Sequence, residues 1–244
     1  MAQVRRVIHT REGVDIVLLF LGDAARFLSV VLDFWARYLP TALGKLRIPT
    51  ALSSKLATGG NIAATQAHVS RLLPIIEEWA IVNRLWGVLD SVVATKELVT
   101  GLVDHRRKGE PVATADEALA TVNLVATMSF NICEASSWLA AKGILSWSPQ
   151  KQETFMYAAA RSWAVTTCVD LTRTLIGLYK VTKTANKDKG ESSSLRNKLC
   201  VDVAWVAVML HWSVRGGLYP DVVASILSVF SSFGTLKEVW KETA

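Results

Sequence analysis

Long apolar-rich stretches run through this chain from end to end, with no two-residue hairpin turn between alternating apolar runs, so strands have little to start from. Six prolines, at positions 40, 49, 74, 111, 149 and 220, fall between these stretches or at their starts. Proline is tolerated there as a helix stop or first-turn residue. The pattern predicts helices over Gly13–Leu39, Leu52–Leu72, Pro74–Asp104, Thr114–Trp147, Gln150–Thr182, Ser192–Arg215 and Pro220–Lys241, with Asp116 and Ser192–Ser194 as N-caps. The fold class is therefore all-α, a membrane-associated bundle of long amphipathic and apolar helices. Residues 1–244 are expected to form a single domain, in which a mobile basic loop, 182–194, precedes a C-terminal helical hairpin, 195–241.

Apolar residues make up 51% of the chain and charged residues 20%, which leans towards membrane and excludes disorder throughout. A polytopic transporter is not supported, because the longest uncharged stretch, Ala118 to Cys133, is about 16 residues. The three cysteines, Cys133, Cys168 and Cys200, stand far apart, which suits a reducing compartment and no disulfide framework. No secretory signal is read at the N-terminus. The net charge of +6 suits acidic lipid headgroups, nucleic acid or plain solubility.

On a helical wheel, Asp15, Gly22, Arg26, Ser29, Asp33 and Arg37 of the first helix fall in one narrow sector. Val17, Leu18, Phe20, Leu21, Phe27, Leu28, Val31, Phe34, Trp35 and Tyr38 fill the rest. So wide an apolar face must be buried, in a bundle or in a lipid interface. Asp33 and Arg37, at i,i+4, support the polar stripe. Further along, Asn123, Asn131, Glu134, Arg161, Asp170, Arg173, Asp202 and His211 interrupt apolar stretches. In hydrocarbon they would have to face other helices or a wet cavity; on a bundle in water they face solvent. Within the last helix Ala224, Ser228 and Ser232 recur every fourth residue, a spacing that lets two helices approach closely. Several of the nine tryptophans, among them Trp35, Trp147, Trp212 and Trp240, sit near the ends of apolar stretches, as interfacial anchors or large core side chains do. Two basic loops, His105–Lys108 and Lys180–Lys198, would share one side, which the positive-inside tendency makes cytosolic, together with the termini.

Chemistry is not legible. The four histidines are scattered, and no nucleophile elbow, phosphate loop or dinucleotide loop occurs. The expectation is no enzyme, no catalytic residues, no metal and no cofactor. Nucleic acid is not an expected partner, since the basic residues are split between loops without aromatic interleaving.

Several segments, in order, resemble the peroxin-11 family of peroxisomal membrane proteins. Thr10, Gly13 and Asp15, followed by Arg26 and Phe27, are similar to the family's opening motif. Ser137–Trp138–Leu139 with Lys142–Gly143–Ile144–Leu145 is similar to its Trp-Leu-x-x-x-Gly segment, and Arg161–Ser162–Trp163 stands where the family has Arg-Phe-Trp. Leu195–Asp202, Val222–Phe230, Ser231–Ser232, Gly234 and Trp240 resemble its closing segment. The chain departs from the family after the first helix, where Leu52–Ser53–Ser54–Lys55 leads into Gly59–Gly60 in place of an arginine-rich stretch.

The resemblance implies elongation and proliferation of the peroxisome, or of the related glycosome, through amphipathic-helix insertion and self-association. The membrane-inserting face would be Val17, Phe20, Leu21, Phe27, Val31, Phe34 and Trp35. Lys45, Arg47, Lys55 and Arg71 are placed to meet lipid headgroups, and Ala224, Ser228 and Ser232 to form a helix contact within or between copies. Implied partners are peroxisomal membrane lipids, further copies of the chain, and the fission machinery, a dynamin-like GTPase with its adaptor. Two other readings stand beside it: a metabolite pore in the same membrane, lined by Asn123, Asn131, Glu134, Arg161, Asp170 and Arg173, and a soluble all-α adaptor.

Overall fold

The structure is a computed structural model that describes residues 6–45, 59–108, 115–183 and 189–242. Among these residues there are seven long helices and no strand: α1 (Arg11–Lys45), α2 (Gly59–Leu85), α3 (Gly87–Lys108), α4 (Ala115–Ala141), α5 (Pro149–Lys183), α6 (Lys189–Trp212) and α7 (Asp221–Glu242). The chain forms two compact units, one made of residues 1–80 with 220–244 and the other of residues 81–219, rather than the single domain expected. In the first unit α1 packs on α7; in the second α4 packs on α3 and α5, and α5 on α6. Helices α6 and α7 thus belong to different units, where a hairpin over 195–241 was expected.

Local chemistry explains where the helices begin and end. Thr10 caps α1, its Oγ1 accepting from Gly13 N–H at 3.0 Å. Ser148 caps α5, its Oγ accepting from Lys151 N–H at 3.3 Å, with Pro149 at the first helical position. The expected helix to Trp147 instead stops at Ala141, because Gly143 turns left-handed (φ 76°). Ile144 N–H then donates to Leu139 O at 3.0 Å and Gly143 N–H to Ala140 O at 3.0 Å, the bonding of a Schellman cap.

Two prolines do not stop their helices. Helix α1 continues past Pro40 to Lys45, and α2 contains Pro74. Pro74 leaves the carbonyl of Ser70 without its helical donor, but both residues are exposed and water can serve it. The interruption comes instead at Trp86, where Leu89 N–H donates to Trp86 O at 3.1 Å. Helix α3 takes in the basic run His105–Lys108, and α6 starts at Lys189, so 189–194 form helical turns where a loop was expected. Residues 184–188 of that loop lie outside the described residues.

The core of the second unit is built from small side chains around a few large ones. Ala126, Ala140, Ala159, Ala164 and Ala204 are buried with Val169, Val201, Trp205, Val208 and Met209. Alanines let the helix backbones approach closely, while Trp163 bridges α4 and α6 through ring contacts with Phe130 (5.2 Å) and Trp205 (5.7 Å). Polar side chains join the same helices. Thr174 Oγ1 donates to Asp202 Oδ2 at 2.6 Å, and Ser137 Oγ to Gln152 O at 3.1 Å.

Candidate functional site

Helix α7 presents two faces of opposite character to those of a helix folded for water. Ala224, Ser225, Ser228, Ser231 and Ser232 are buried, the last three with no exposed surface, while Ile226, Phe230 and Phe233 are half exposed. A buried serine stays satisfied inside a helix because its hydroxyl donates to the carbonyl one turn earlier. Ser228 Oγ donates to Ser225 O (3.1 Å), Ser231 Oγ to Leu227 O (2.7 Å) and Ser232 Oγ to Ser228 O (2.8 Å). Ala224, Ser228 and Ser232, singled out by their spacing, all lie on this buried face.

On α1, buried Asp23 lies beside Ser228 and Ser232, while Gly22, also buried, faces Ile76 of α2, whose Cγ2 is 3.7 Å from a Cβ built there. Asp23 keeps only 2% of its surface. Its Oδ1 accepts from Arg26 Nη1 at 3.3 Å, and Arg26 Nη2 continues to Glu77 Oε1 of α2 at 2.6 Å. Oδ2 has no hydrogen-bond partner among the described residues. Burial pushes the Asp23 carboxyl up to about 6, and Glu77 acts in the same sense, while Arg26 and the Ser232 and Ser228 hydroxyls act against it.

The α1 face proposed from the wheel is divided by this packing. Phe20 meets Phe233 of α7 with ring centroids 5.9 Å apart. Val17, Phe27 and Val31 are half-buried, whereas Leu21, Phe34 and Trp35 are exposed. The polar stripe is divided as well: Gly22 and Arg26 turn towards the protein, and only its far end, with Arg37 Nε 2.9 Å from Asp33 Oδ2, resembles a solvated face. Asp23 itself was outside the stripe. The signal that could have found it is its i,i+3 spacing to Arg26 together with the serine row of α7.

Of the headgroup candidates, Arg71 is exposed on α2 and Lys45 closes α1, its side chain outside the described residues, as are Arg47 and Lys55 altogether. The polar residues that could line a pore are dispersed within the second unit. Glu134 is closed by Arg84, whose Nε and Nη2 donate to its two oxygens at 2.8 Å each, with the guanidinium also over the Phe130 ring. Asn131 is buried, and Asn123 is half-buried with its Oδ1 lacking a partner among the described residues. Arg161 is exposed and donates to Ser213 O, while Asp170 and Arg173 lie 3.9 Å apart on one helix surface.

An apolar hollow of about 380 Å³ in this unit is lined by Val122, Ala164, Val165, Val169 and Leu210, with Cys168 and Thr172 its only polar groups. It offers a ligand no charge. At the end of α6, buried His211 accepts at Nδ1 from Leu218 N–H (3.0 Å) and stacks on Tyr219. This ring organises a turn; in sequence His211 stands out only as a polar interruption of an apolar stretch. Among the described residues no group of three or more His, Cys, Asp or Glu side chains is placed to hold a metal ion.

Helices α4 and α7 are long and apolar enough to cross a membrane, by length and composition. Comparison with known proteins adds no relative: no family model matches the chain, and neither the curated proteins nor the solved structures contain a match.

Proposed function

We propose that this chain is a membrane-embedded helical protein of the peroxisome or glycosome that elongates and proliferates the organelle, acting by insertion and crowding rather than by catalysis. The observation that carries the reading is the inverted face of α7, serine and alanine inside with valine, isoleucine and phenylalanine outside. In water, leaving a large apolar side chain exposed instead of buried forfeits about 1.5–3 kcal/mol. An apolar surround removes that cost, and then small side chains at helix contacts bring close packing. Leu21, Leu28, Phe34, Trp35 and Tyr38 extend the same outward character along α1.

Insertion of such a helix into one leaflet expands that leaflet, and many copies together bend it. The organelle is suggested by the resemblance of the opening, middle and closing segments to the peroxin-11 family. On this reading the basic residues and both termini face the cytosol, where Lys45, Arg47, Lys55 and Arg71 meet anionic headgroups and the fission machinery has access.

Microscopy of cells expressing the tagged chain beside a peroxisomal matrix marker tests the proposal. The expected result is elongated or multiplied organelles carrying the tag, and loss of elongation in a Leu21→Asp, Phe34→Asp, Trp35→Asp variant that still folds. Diffuse signal with unchanged organelles would sink it in favour of a soluble adaptor. Correct targeting with normal shape, and conductance in a reconstituted bilayer, would favour the pore.

A further inference from the structure

We propose that the end of the second unit formed by the turns 142–148 and 213–219 is a docking surface for an anionic bilayer, with Ile144 and Leu218 dipping below the headgroups. It rests on the proposed membrane residence and adds a lipid contact distinct from Lys45, Arg47, Lys55 and Arg71. Three contacts bring the two turns to one end. Arg161 Nε of α5 donates to Ser213 O at 3.3 Å, Arg215 Nε lies 3.4 Å from Glu153 Oε1, and the Arg215 guanidinium sits over the Tyr157 ring at 5.7 Å.

Turns that face water favour small polar residues. Here each turn carries a large aliphatic side chain at its tip, Ile144 with 65% of its surface exposed and Leu218 with 58%. Neither is exposed for want of a defined backbone. Ile144 N–H donates to Leu139 O within the cap that ends α4, and Leu218 N–H to His211 Nδ1, each at 3.0 Å. In such a cap the residue after the glycine frequently packs on the last helical turn, yet Ile144 keeps most of its surface open.

The surroundings of the tips are basic and aromatic. Residues 142–161 and 213–219 carry Lys142, Lys151, Arg161 and Arg215 against a single acid, Glu153. Lys151 Nζ lies 4.1 Å from the Trp147 ring centroid and 5.9 Å from that of Phe155, and the two rings are 4.5 Å apart. An acidic protein surface would satisfy the cations and leave the aliphatic tips without a partner, and an apolar protein face would do the reverse. An anionic bilayer offers acyl chains to the tips, an interface to the rings and phosphate to the cations. Helix α5 holds Lys151 about 40 Å from Lys180 near its other end, so this contact is separate from the basic residues there.

The test places a fluorophore on Ile144→Cys or Leu218→Cys, in a full chain whose Cys133, Cys168 and Cys200 are replaced by serine. The chain is reconstituted in vesicles of phosphatidylcholine, alone or mixed with phosphatidylserine, and quenched by aqueous iodide or by doxyl-labelled lipid. The expected result is that phosphatidylserine shields both positions from iodide and exposes them to the lipid quencher. Lys151→Gln with Arg215→Gln should lower the docked-to-free ratio roughly fivefold per charge removed, and raised salt should act in the same direction. Should the serine background not fold, hydrogen exchange of the unsubstituted chain over 142–148 and 213–219 reads the same cover.

Iodide reaching both positions in both kinds of vesicle would overturn the proposal. Equal shielding in neutral vesicles would overturn the anionic partner, and shielding lost on dilution with further lipid would assign the cover to a second copy instead. A chain that never joins the vesicles refutes membrane residence itself, whereas one that joins them with both turns open to iodide refutes this contact alone.

Discussion

At the scale of single residues, the turn after α6 depends on a glycine for two separate reasons. Gly217 has φ 72°, and a Cβ built there would run into the His211 ring at Cε1. Gly216, at φ 80°, has nothing within 4 Å of such a Cβ. Gly216→Ala should therefore cost only the left-handed backbone term, about 1–2 kcal/mol. Gly217→Ala should cost more, because it also drives the imidazole away from the Leu218 amide, and thermal unfolding of the two variants side by side checks the order. The Arg84–Glu134 pair gives a second prediction. Both side chains are largely buried, at 14% and 11% exposure, and removing one partner leaves the other uncompensated. Glu134→Gln should destabilise by about 3–5 kcal/mol, whereas replacing both residues with leucine or methionine should cost far less. A double-mutant cycle reads the difference. The Gly216–Gly217 pair reads as a turn in sequence, but the Arg84 pairing does not show there, since partners 50 residues apart meet only through tertiary packing.

At the scale of the element, the helical character was legible because apolar periodicity and proline spacing are local signals. The ends were less so. Pro74 reads as a stop, yet an exposed proline costs its helix one hydrogen bond that water replaces, and α2 runs through it. The orientation of α1 was legible only in part. A wheel separates apolar from polar sectors, but which sector turns inward depends on the partners: Asp23 meets the serine face of α7, while Gly22 and Arg26 meet Ile76 and Glu77 of α2. Helix α7 supplies the corresponding test. Ser228→Leu places a large side chain where no surface is exposed and should weaken the α1–α7 pair by about 1–3 kcal/mol. Ile226→Ser, on the half-exposed face, should leave that pair intact while reducing partition into vesicles. Cross-linking of cysteines placed at Phe20 and Phe233, whose rings lie 5.9 Å apart, reports on pairing in both variants.

For the whole molecule, the formal charge of +6 and the outward apolar faces predict a particular kind of binding. Vesicles containing anionic lipid should bind the chain more tightly than neutral ones, with the excess shrinking as salt is raised, because each basic residue near the surface contributes about 1 kcal/mol that ions screen. Flotation at low and high salt measures this. Lys45→Gln with Arg71→Gln should lower the salt-sensitive part and leave the apolar part unchanged.

The pairing of α1 with α7 also orders events in time. Everything from residue 46 to residue 220 is synthesised between the two helices, which at about 5–20 residues per second amounts to a delay on the order of ten seconds or more. Throughout that interval Asp23, Phe20 and the neighbouring inward groups of α1 have no serine face to meet. The nascent helix leaves the ribosome long before its counterpart, and a chaperone or a bilayer has to shelter its inward groups until α7 emerges.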